Sequence, residues 1–303
     1  MNRRACLLDS SIYIFRAWFS MPDNWHSPDG HSLNAVYGYT RFLLEFLQRY
    51  RPGYFLAGFD ESLGSCFRND IYPGYKSSRE LPDEALAFQL SACREITARL
   101  GIPCYGSDRY EADDYLASLA KLYRASGVPV SVITRDKDLG QIVQGPDDLW
   151  WDYASDVTLD EAGFRDKFGV SPGQFADYLA LVGDKIDDIP GVPGVGAKTA
   201  TRLLQEYGDL PTLHENLHAV GTLKLRGAAR IAQNLQSHWP QVEIARRLTV
   251  LEEDIPGLMV EPAFDLTQTA LDSLAEYLSE LNLEGPLTRR CHSLLEGHSI
   301  WAT

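Results

Sequence analysis

Cysteine, long apolar runs and positive charge are all scarce in this chain, and each scarcity removes a class of function. Five cysteines, Cys6, Cys66, Cys93, Cys104 and Cys291, are scattered through 303 residues with no C-x-x-C pair. The odd number and the spacing speak against a disulfide framework and a thiolate zinc site, and for reduced thiols in a cytosolic protein. No apolar run approaches the roughly 20 residues that a membrane helix needs. The opening stretch MNRRACLLDSS has a four-residue apolar run before Asp9, too short for the core of a signal peptide. The expectation is a cytoplasmic chain with no membrane partner. Bases number 28 against 42 acids, a net charge of −14. As a sum, that charge argues against a nucleic-acid partner. Its distribution changes the reading, because residues 181–247 hold eight bases and seven acids while residues 248–303 hold two and ten. The excess sits in the C-terminal tail and in two clusters, YEADD at 110–114 and TRDKD at 134–138.

Apolar residues make up 45% of the chain, enough for a globular core. Three apolar runs each end in an aspartate: ACLLD at Asp9, YFLAGFD at Asp60 and VPVSVITRD at Asp136. Runs of this length between Gly and Pro read as buried strands. Helical patterns at 35–50 and 111–126 separate them, which predicts an α/β fold with a mostly parallel sheet. Ligands of such sheets bind beyond the carboxyl ends of the strands, so all three aspartates are expected on the binding edge. From about residue 171 the pattern is helical, interrupted by a Gly/Pro hairpin at 190–196. Asp184 and Asp187, three apart, are expected on one helix face. The expected division is an α/β catalytic domain, 1–178, and a helical domain, 179–303. Residues 208–303 show no motif that reads as chemistry.

Nine carboxylates form the candidate site: Asp9, Asp60, Glu111, Asp113, Asp114, Asp136, Asp138, Asp184 and Asp187. One acid at the start of a helix complements its dipole. Three acids at 111–114 repel one another and ask for a further reason. Divalent cations supply the missing charge, and oxygen-only ligands point to Mg²⁺ or Mn²⁺. Two such ions activate a water and stabilise the leaving oxygen of a phosphodiester.

Two further stretches suggest nucleic acid. IPGVPGVGAKTATRLL at 189–204 is a glycine-rich hairpin opening onto a helix. Gly191, Gly194, Gly196, Lys198, Thr199 and Arg202 are its candidate phosphate contacts. An ordinary helix–turn–helix corner is the alternative. FRNDIYPGYKSSRELP at 67–82 interleaves Arg68, Lys76 and Arg79 with Phe67, Tyr72 and Tyr75. That mixture suits single-stranded nucleic acid through stacking and phosphate contact, and equally suits a surface loop with scattered bases.

With these motifs together, LLDSSIYIFRAWF, AVYGYTRFLL, YPGYKSSR, YEADDYLASLA, TRDKDLGQIV and VGDKIDDIPGVPGVGAKTATRLL, the chain resembles the structure-specific 5′ nucleases. These include flap endonucleases, phage 5′ exonucleases and the N-terminal nuclease domain of bacterial DNA polymerase I, the type it most resembles. The match runs from about residue 5 to 207, with a weaker helical match to about 290. The resemblance implies a PIN-like α/β nuclease fold with a helical arch and a helix–three-turn–helix (helix–hairpin–helix) element. It implies that all nine acids belong to the metal site and that Arg16, Lys76 and Arg79 lie near the scissile phosphate and arch. It also implies a duplex-binding hairpin at 189–199 holding K⁺ through backbone carbonyls. The implied partner is DNA with 5′ flaps, nicks or frayed 5′ ends, or an RNA–DNA hybrid, cut to leave a 5′-phosphate during replication or repair. Three positions depart from the pattern: Ser10 for Gly, Asp188 for Asn, and Gly140 for a bulkier residue. The chain ends at Thr303 without a polymerase segment, and Met1 favours a free-standing product over an excised domain. A DNA-binding protein without catalysis and a small ribonuclease acting on RNA are the alternatives. The intact acids speak against the first, and the hairpin and the arch-like insert against the second. A D-x-D phosphatase is excluded, because the first strand ends Asp9-Ser10-Ser11.

Overall fold

A computed structural model describes residues 4–62 and 66–295. The first half runs β1 (Ala5–Asp9), α1 (Ser10–Ser20), α2 (Asn34–Arg49), β2 (Tyr54–Gly58), α3 (Phe67–Ile71), α4 (Glu84–Arg99), β3 (Cys104–Tyr105), α5 (Ala112–Ala125), β4 (Val130–Ile133), β5 (Leu149–Asp152) and β6 (Val157–Leu159). The rest is helical: α6 (Glu161–Phe168), α7 (Phe175–Val182), α8 (Ala197–Tyr207), α9 (Leu210–Glu215), α10 (Leu217–Val220), α11 (Ala228–Thr249), α12 (Gln268–Glu280) and α13 (Pro286–Ser293). Among the described residues no helix is long and apolar enough to cross a membrane.

The six strands form one sheet in the order β3-β2-β1-β4-β5-β6. All pairings are parallel except β5 with β6. β1 is buried along its whole length, which is why it reads as a continuous apolar run rather than an alternating one. Successive side chains on a strand face opposite sides. Cys6 and Leu8 therefore enter a core shared with α1, α2, α4 and α12, while Ala5 and Leu7 enter another shared with α5. β1 pairs with both β2 and β4, in register Asp9 to Gly58 and Leu8 to Ile133. β2 and β3 lie on one side of β1 and β4 on the other, so the strand order reverses there and the sheet has its switch point between β1 and β4. Asp9, Asp60 and Asp136 follow at that edge.

A third core, formed by α6–α11, takes in Cys66 and Tyr75. The expected boundary at 178 falls inside α7, and residues 179–303 do not pack as one unit. After α11 the chain runs extended along α5, where Ser118 Oγ donates to Glu252 O at 3.0 Å. It then returns to the far side of the sheet, where Leu271, Leu274, Leu278 and Leu287 join the core of α2. The departure at Gly140 has a packing cause. A Cβ there would stand 2.0 Å from Phe164 Cε2, far inside contact distance. Gly140→Ala is therefore expected to cost about 1–3 kcal/mol through overpacking, read as a lower urea midpoint. An unchanged midpoint would show that Phe164 yields freely.

Candidate active site

The strand-end acids are held by the backbone they terminate. Asp9 ends β1 and caps α1: Ile12 N donates to its Oδ1 at 3.3 Å and Thr134 Oγ1 to its Oδ2 at 2.8 Å. Asp60 accepts from Ala112 N at 3.0 Å, which ties the end of β2 to the start of α5. Asp136 accepts from Asp138 N at 2.8 Å. Glu111 is the N-cap of α5 and accepts from Arg68 Nη1 at 3.0 Å, from Tyr75 OH at 2.9 Å and from Lys76 Nζ. Asp113 lies one residue into α5 and faces the same space.

Asp184 and Asp187 do not share a helix face. Gly183, at φ +80°, ends α7, and the backbones of Gly183 and Gly191 touch so closely that a Cβ on either would overlap the other segment. Asp184 N donates to Ile189 O at 2.9 Å and Ile189 N to Asp184 O at 2.7 Å, closing a tight turn. That turn presents both acids. Eight of the nine expected carboxylates, Asp9, Asp60, Glu111, Asp113, Asp136, Asp138, Asp184 and Asp187, line one cleft of about 790 Å³ together with Lys76 and Arg79.

Asp114 is the exception. It is fully buried and grips Arg68 with both oxygens, at 2.6 and 2.7 Å. Arg68 Nε and Nη2 in turn donate to Leu248 O and Val250 O, at 2.8 and 3.1 Å, at the C-terminal end of α11. Neighbours on a helix point about 100° apart, so Asp113 and Asp114 cannot both face the cleft. Arg68 and Tyr75, expected to meet DNA, are 1% and 4% exposed; Arg68 fastens α3 to α5 and α11, and Tyr75 OH donates to Glu111 at 2.9 Å. Arg16 is exposed on α1 and does not line the cleft.

The cleft is short of positive charge. Burial pushes Asp9 up to about 7, helped by the neighbouring Asp60 and Asp136 carboxylates. Burial and Asp136 push Asp138 up to about 7. Asp60 and Asp187 are raised, mainly by burial. Asp113 is raised well above the carboxylate range by burial and then by Asp136 and Asp9. Glu111 is buried too, yet Lys76 and Arg68 hold it low. Lys137 Nζ spans Asp138 and Asp184 at 2.9 and 3.2 Å, and Lys76 stands between Glu111 and Asp187. Among the described residues no three acid, His or Cys side chains are already closed around an ion. An all-oxygen donor set with uncompensated charge fits Mg²⁺ or Mn²⁺, which keep several of their waters and reach spaced carboxylates through them.

The hairpin expected at 189–196 is present, anchored by buried Val192 and Val195. Gly191 is a packing glycine against Val182 O. Gly194, at φ +82°, and Gly196 are exposed ahead of α8, as are Lys198 and Arg202. Arg202 pairs with Glu206 at 3.2 Å. Thr199 N donates to Gly196 O at 2.9 Å. Asn234 on α11 donates to Pro193 O at 2.6 Å and Gln241 to Pro190 O and Gly191 O at 3.2 Å. One surface was missed from the sequence. Residues 216–242 contain no acid but carry Lys224, Arg226 and Arg230, all exposed. Arg230 stands one helical turn from Asn234, which touches the hairpin. The acid-free interval in so acidic a chain was the available signal.

The chain matches two family descriptions in succession: 5′-3′ exonuclease, N-terminal resolvase-like domain, over residues 4–169, and 5′-3′ exonuclease, C-terminal SAM fold, over residues 170–273. The 5′-3′ exonuclease of Aquifex aeolicus is 31% identical over 286 residues, 93% of each chain. DNA polymerase I of Rhizobium leguminosarum is 34% identical over 269 residues, 84% of this chain and 26% of that one. This chain thus spans about a quarter of the DNA polymerase I relatives it matches. The bacteriophage T5 flap endonuclease, solved in a pseudo-enzyme-product complex with DNA and metal ions, shares the fold at TM-score 0.62 and 19% identity, over 97% of this chain and 98% of that one. Two consecutive family matches that together cover most of the residues, and a relative alike over nearly its whole length, agree with the strand-end acids and the hairpin: this chain belongs to the 5′-3′ exonuclease family.

Proposed function

We propose that the cleft hydrolyses phosphodiester bonds in 5′-ended or branched DNA, using Mg²⁺ or Mn²⁺ held by Asp9, Asp60, Glu111, Asp113, Asp136, Asp138, Asp184 and Asp187. The observation that carries this reading is the gathering of eight carboxylates from separate segments into one cleft, five of them pushed up by burial and mutual repulsion. When bound, the cations supply the charge that activates a water and offsets the leaving oxygen. The chain's own residues then divide the work. Asp9 and Asp60 are fixed by helix-start amides and so hold their oxygens still. Lys76 and Arg79 bring positive charge beside Glu111 and Asp187, where they meet phosphate oxygens. Gly194, Gly196 and the first turn of α8 offer backbone N–H groups to the duplex phosphates. Flaps, nicks, frayed 5′ ends and RNA–DNA hybrids all fit this arrangement, and the setting is the cytoplasm. A K⁺ ion at 189–199 would be held by hairpin carbonyls; those of Pro190, Gly191 and Pro193 each accept one bond from Gln241 or Asn234 and keep a second lone pair.

The test is a 5′-labelled flap duplex incubated with the protein in Mg²⁺, beside EDTA and an Asp136→Ala variant. Cleavage near the junction that disappears in both controls is expected. Binding without cleavage in Mg²⁺ or Mn²⁺ would leave a binding protein instead. The basic surface gives a second expected result. Arg230→Ala should lower the slope of log Kd against log salt on duplex DNA by about 0.9, one phosphate contact, with Ca²⁺ present to prevent turnover. An unchanged slope would remove α11 from the interface.

A further inference from the structure

The loop that carries Lys76 and Arg79 has no regular structure between the end of α3 and the start of α4. Its placement therefore depends on individual contacts. Near the base, Asn69 Nδ2 donates to Tyr75 O at 2.9 Å and Tyr75 OH to Glu111 at 2.9 Å. At the tip, Lys76 N donates to Asp187 O at 3.0 Å. Asp188 then takes hold of Ser78 with both carboxylate oxygens. Ser78 N donates to Oδ2 at 2.8 Å and Ser78 Oγ to Oδ1 at 3.0 Å. Arg79 reaches back to Asp187 at 3.1 Å. Past Arg79 the segment has little to hold it, and Leu81 is 64% exposed.

Two facing residues pay a conformational cost for this clasp. Lys76 at φ +53° and Asp188 at φ +55° are both left-handed without being glycine. A backbone in that region persists where surrounding contacts over-determine it, and each turn supplies the contacts that hold the other. The sequence raised Asp188 as a departure from the Asn of the pattern. Its side chain faces the loop.

We propose that Asp188 is a positioning residue: its two-oxygen grip on Ser78 holds the Lys76–Arg79 loop against the Asp184–Ile189 turn, fixing both cations relative to the acids of the cleft. The role in cleavage rests on the nuclease reading above, whereas the clasp itself does not. A loop freed at this point lets Lys76 and Arg79 drift, and displacements near 1 Å can cost about 100-fold in rate.

The experiment compares the full chain with Asp188→Ala, Ser78→Ala and Asp188→Asn in two assays. An Asn side chain can accept from Ser78 N with its oxygen and donate to Ser78 Oγ with its amide, so it should restore the clasp that Ala removes. Limited trypsin digestion reads the clasp without nuclease activity, because Lys76 and Arg79 are themselves tryptic sites. Cleavage at 76 and 79 should accelerate about tenfold or more in Asp188→Ala and Ser78→Ala, as local opening becomes easier, and return to the native rate in Asp188→Asn. On a flap duplex in Mg²⁺, kcat should fall about 10–100-fold in the two Ala variants with KM changed far less, and recover in Asp188→Asn. Native trypsin resistance at these sites in Asp188→Ala would overturn the clasp. Faster proteolysis with an unchanged kcat would overturn its part in positioning. If the native chain cuts no DNA, the nuclease reading fails while the trypsin result still decides the clasp.

Discussion

An Asp114→Ala chain is expected to lose about 3–5 kcal/mol of stability and to keep its response to divalent cations. The carboxylate is fully buried and accepts Arg68 through both oxygens, Glu111 N at 3.1 Å and Glu252 N at 2.9 Å. Removing it leaves a buried guanidinium with its remaining bonds to Glu111, Leu248 O and Val250 O. That is an ion stripped of its main counter-charge, a far larger loss than any surface pair. The junction of α3, α5 and the end of α11 loosens together, because Arg68 is its common member. A fall of about 10 °C in melting temperature follows at this chain length. The measurement is urea unfolding in EDTA, paired with thermal melts across a Mg²⁺ titration. A variant of native stability that no longer gains from Mg²⁺ would return Asp114 to the metal site. A partial recovery in an Arg68→Met, Asp114→Leu double variant would show that the pair's burial, and not a cation, is what matters there.

This case shows what the sequence could disclose and what it could not. Asp9, Asp60 and Asp136 were legible because a buried parallel strand is an uninterrupted apolar run, and the residue that breaks the run must stand at its carboxyl edge. The hairpin was legible through its glycines. Asp113 and Asp114 were both legible as acids on a first turn, but a string of letters does not say which of two neighbours faces inward. That depends on Arg68, and through it on Leu248 and Val250, some 180 residues away. The same distance hides Arg68 and Tyr75. Interleaved with other bases and aromatics they have the composition of a stacking loop, and only the arrival of α5 and α11 makes them interior. Asp184 and Asp187 have helical spacing, and the turn that replaces the helix is set by the close approach of Gly183 to Gly191. Gly140 looked like a departure until Phe164, from a later helix, was seen to occupy the space.

Asp113→Asn is expected to move activity and metal-free stability in opposite directions. Asp113 faces the cleft, and the carboxylates around it are Asp9, Asp60 and Asp136. A carboxylate whose folded pKa is raised binds its proton more tightly folded than unfolded. Its contribution to stability is therefore fully present below the unfolded value near 4, and is lost as pH rises through the folded value. For Asp9 and Asp138 that upper limit is about 7. In EDTA the native chain should thus lose stability as pH rises from about 4 to about 7. Asparagine at 113 removes one charge from the repelling set and should raise stability at pH 8, with no gain at pH 4. Saturating Mg²⁺ should raise the native melting temperature more at pH 8 than at pH 6, because the cations relieve a repulsion that protons relieve at lower pH. The variant should show a smaller Mg²⁺ increment and about 100-fold or greater loss of flap cleavage, as for disrupted ligand shells. These readouts bind the chemistry to its electrostatic cause. If Asp113→Asn destabilised the metal-free chain at pH 8, the acids would be held by internal partners rather than waiting for cations. The repulsion that marks the cleft as a metal site would then have another origin.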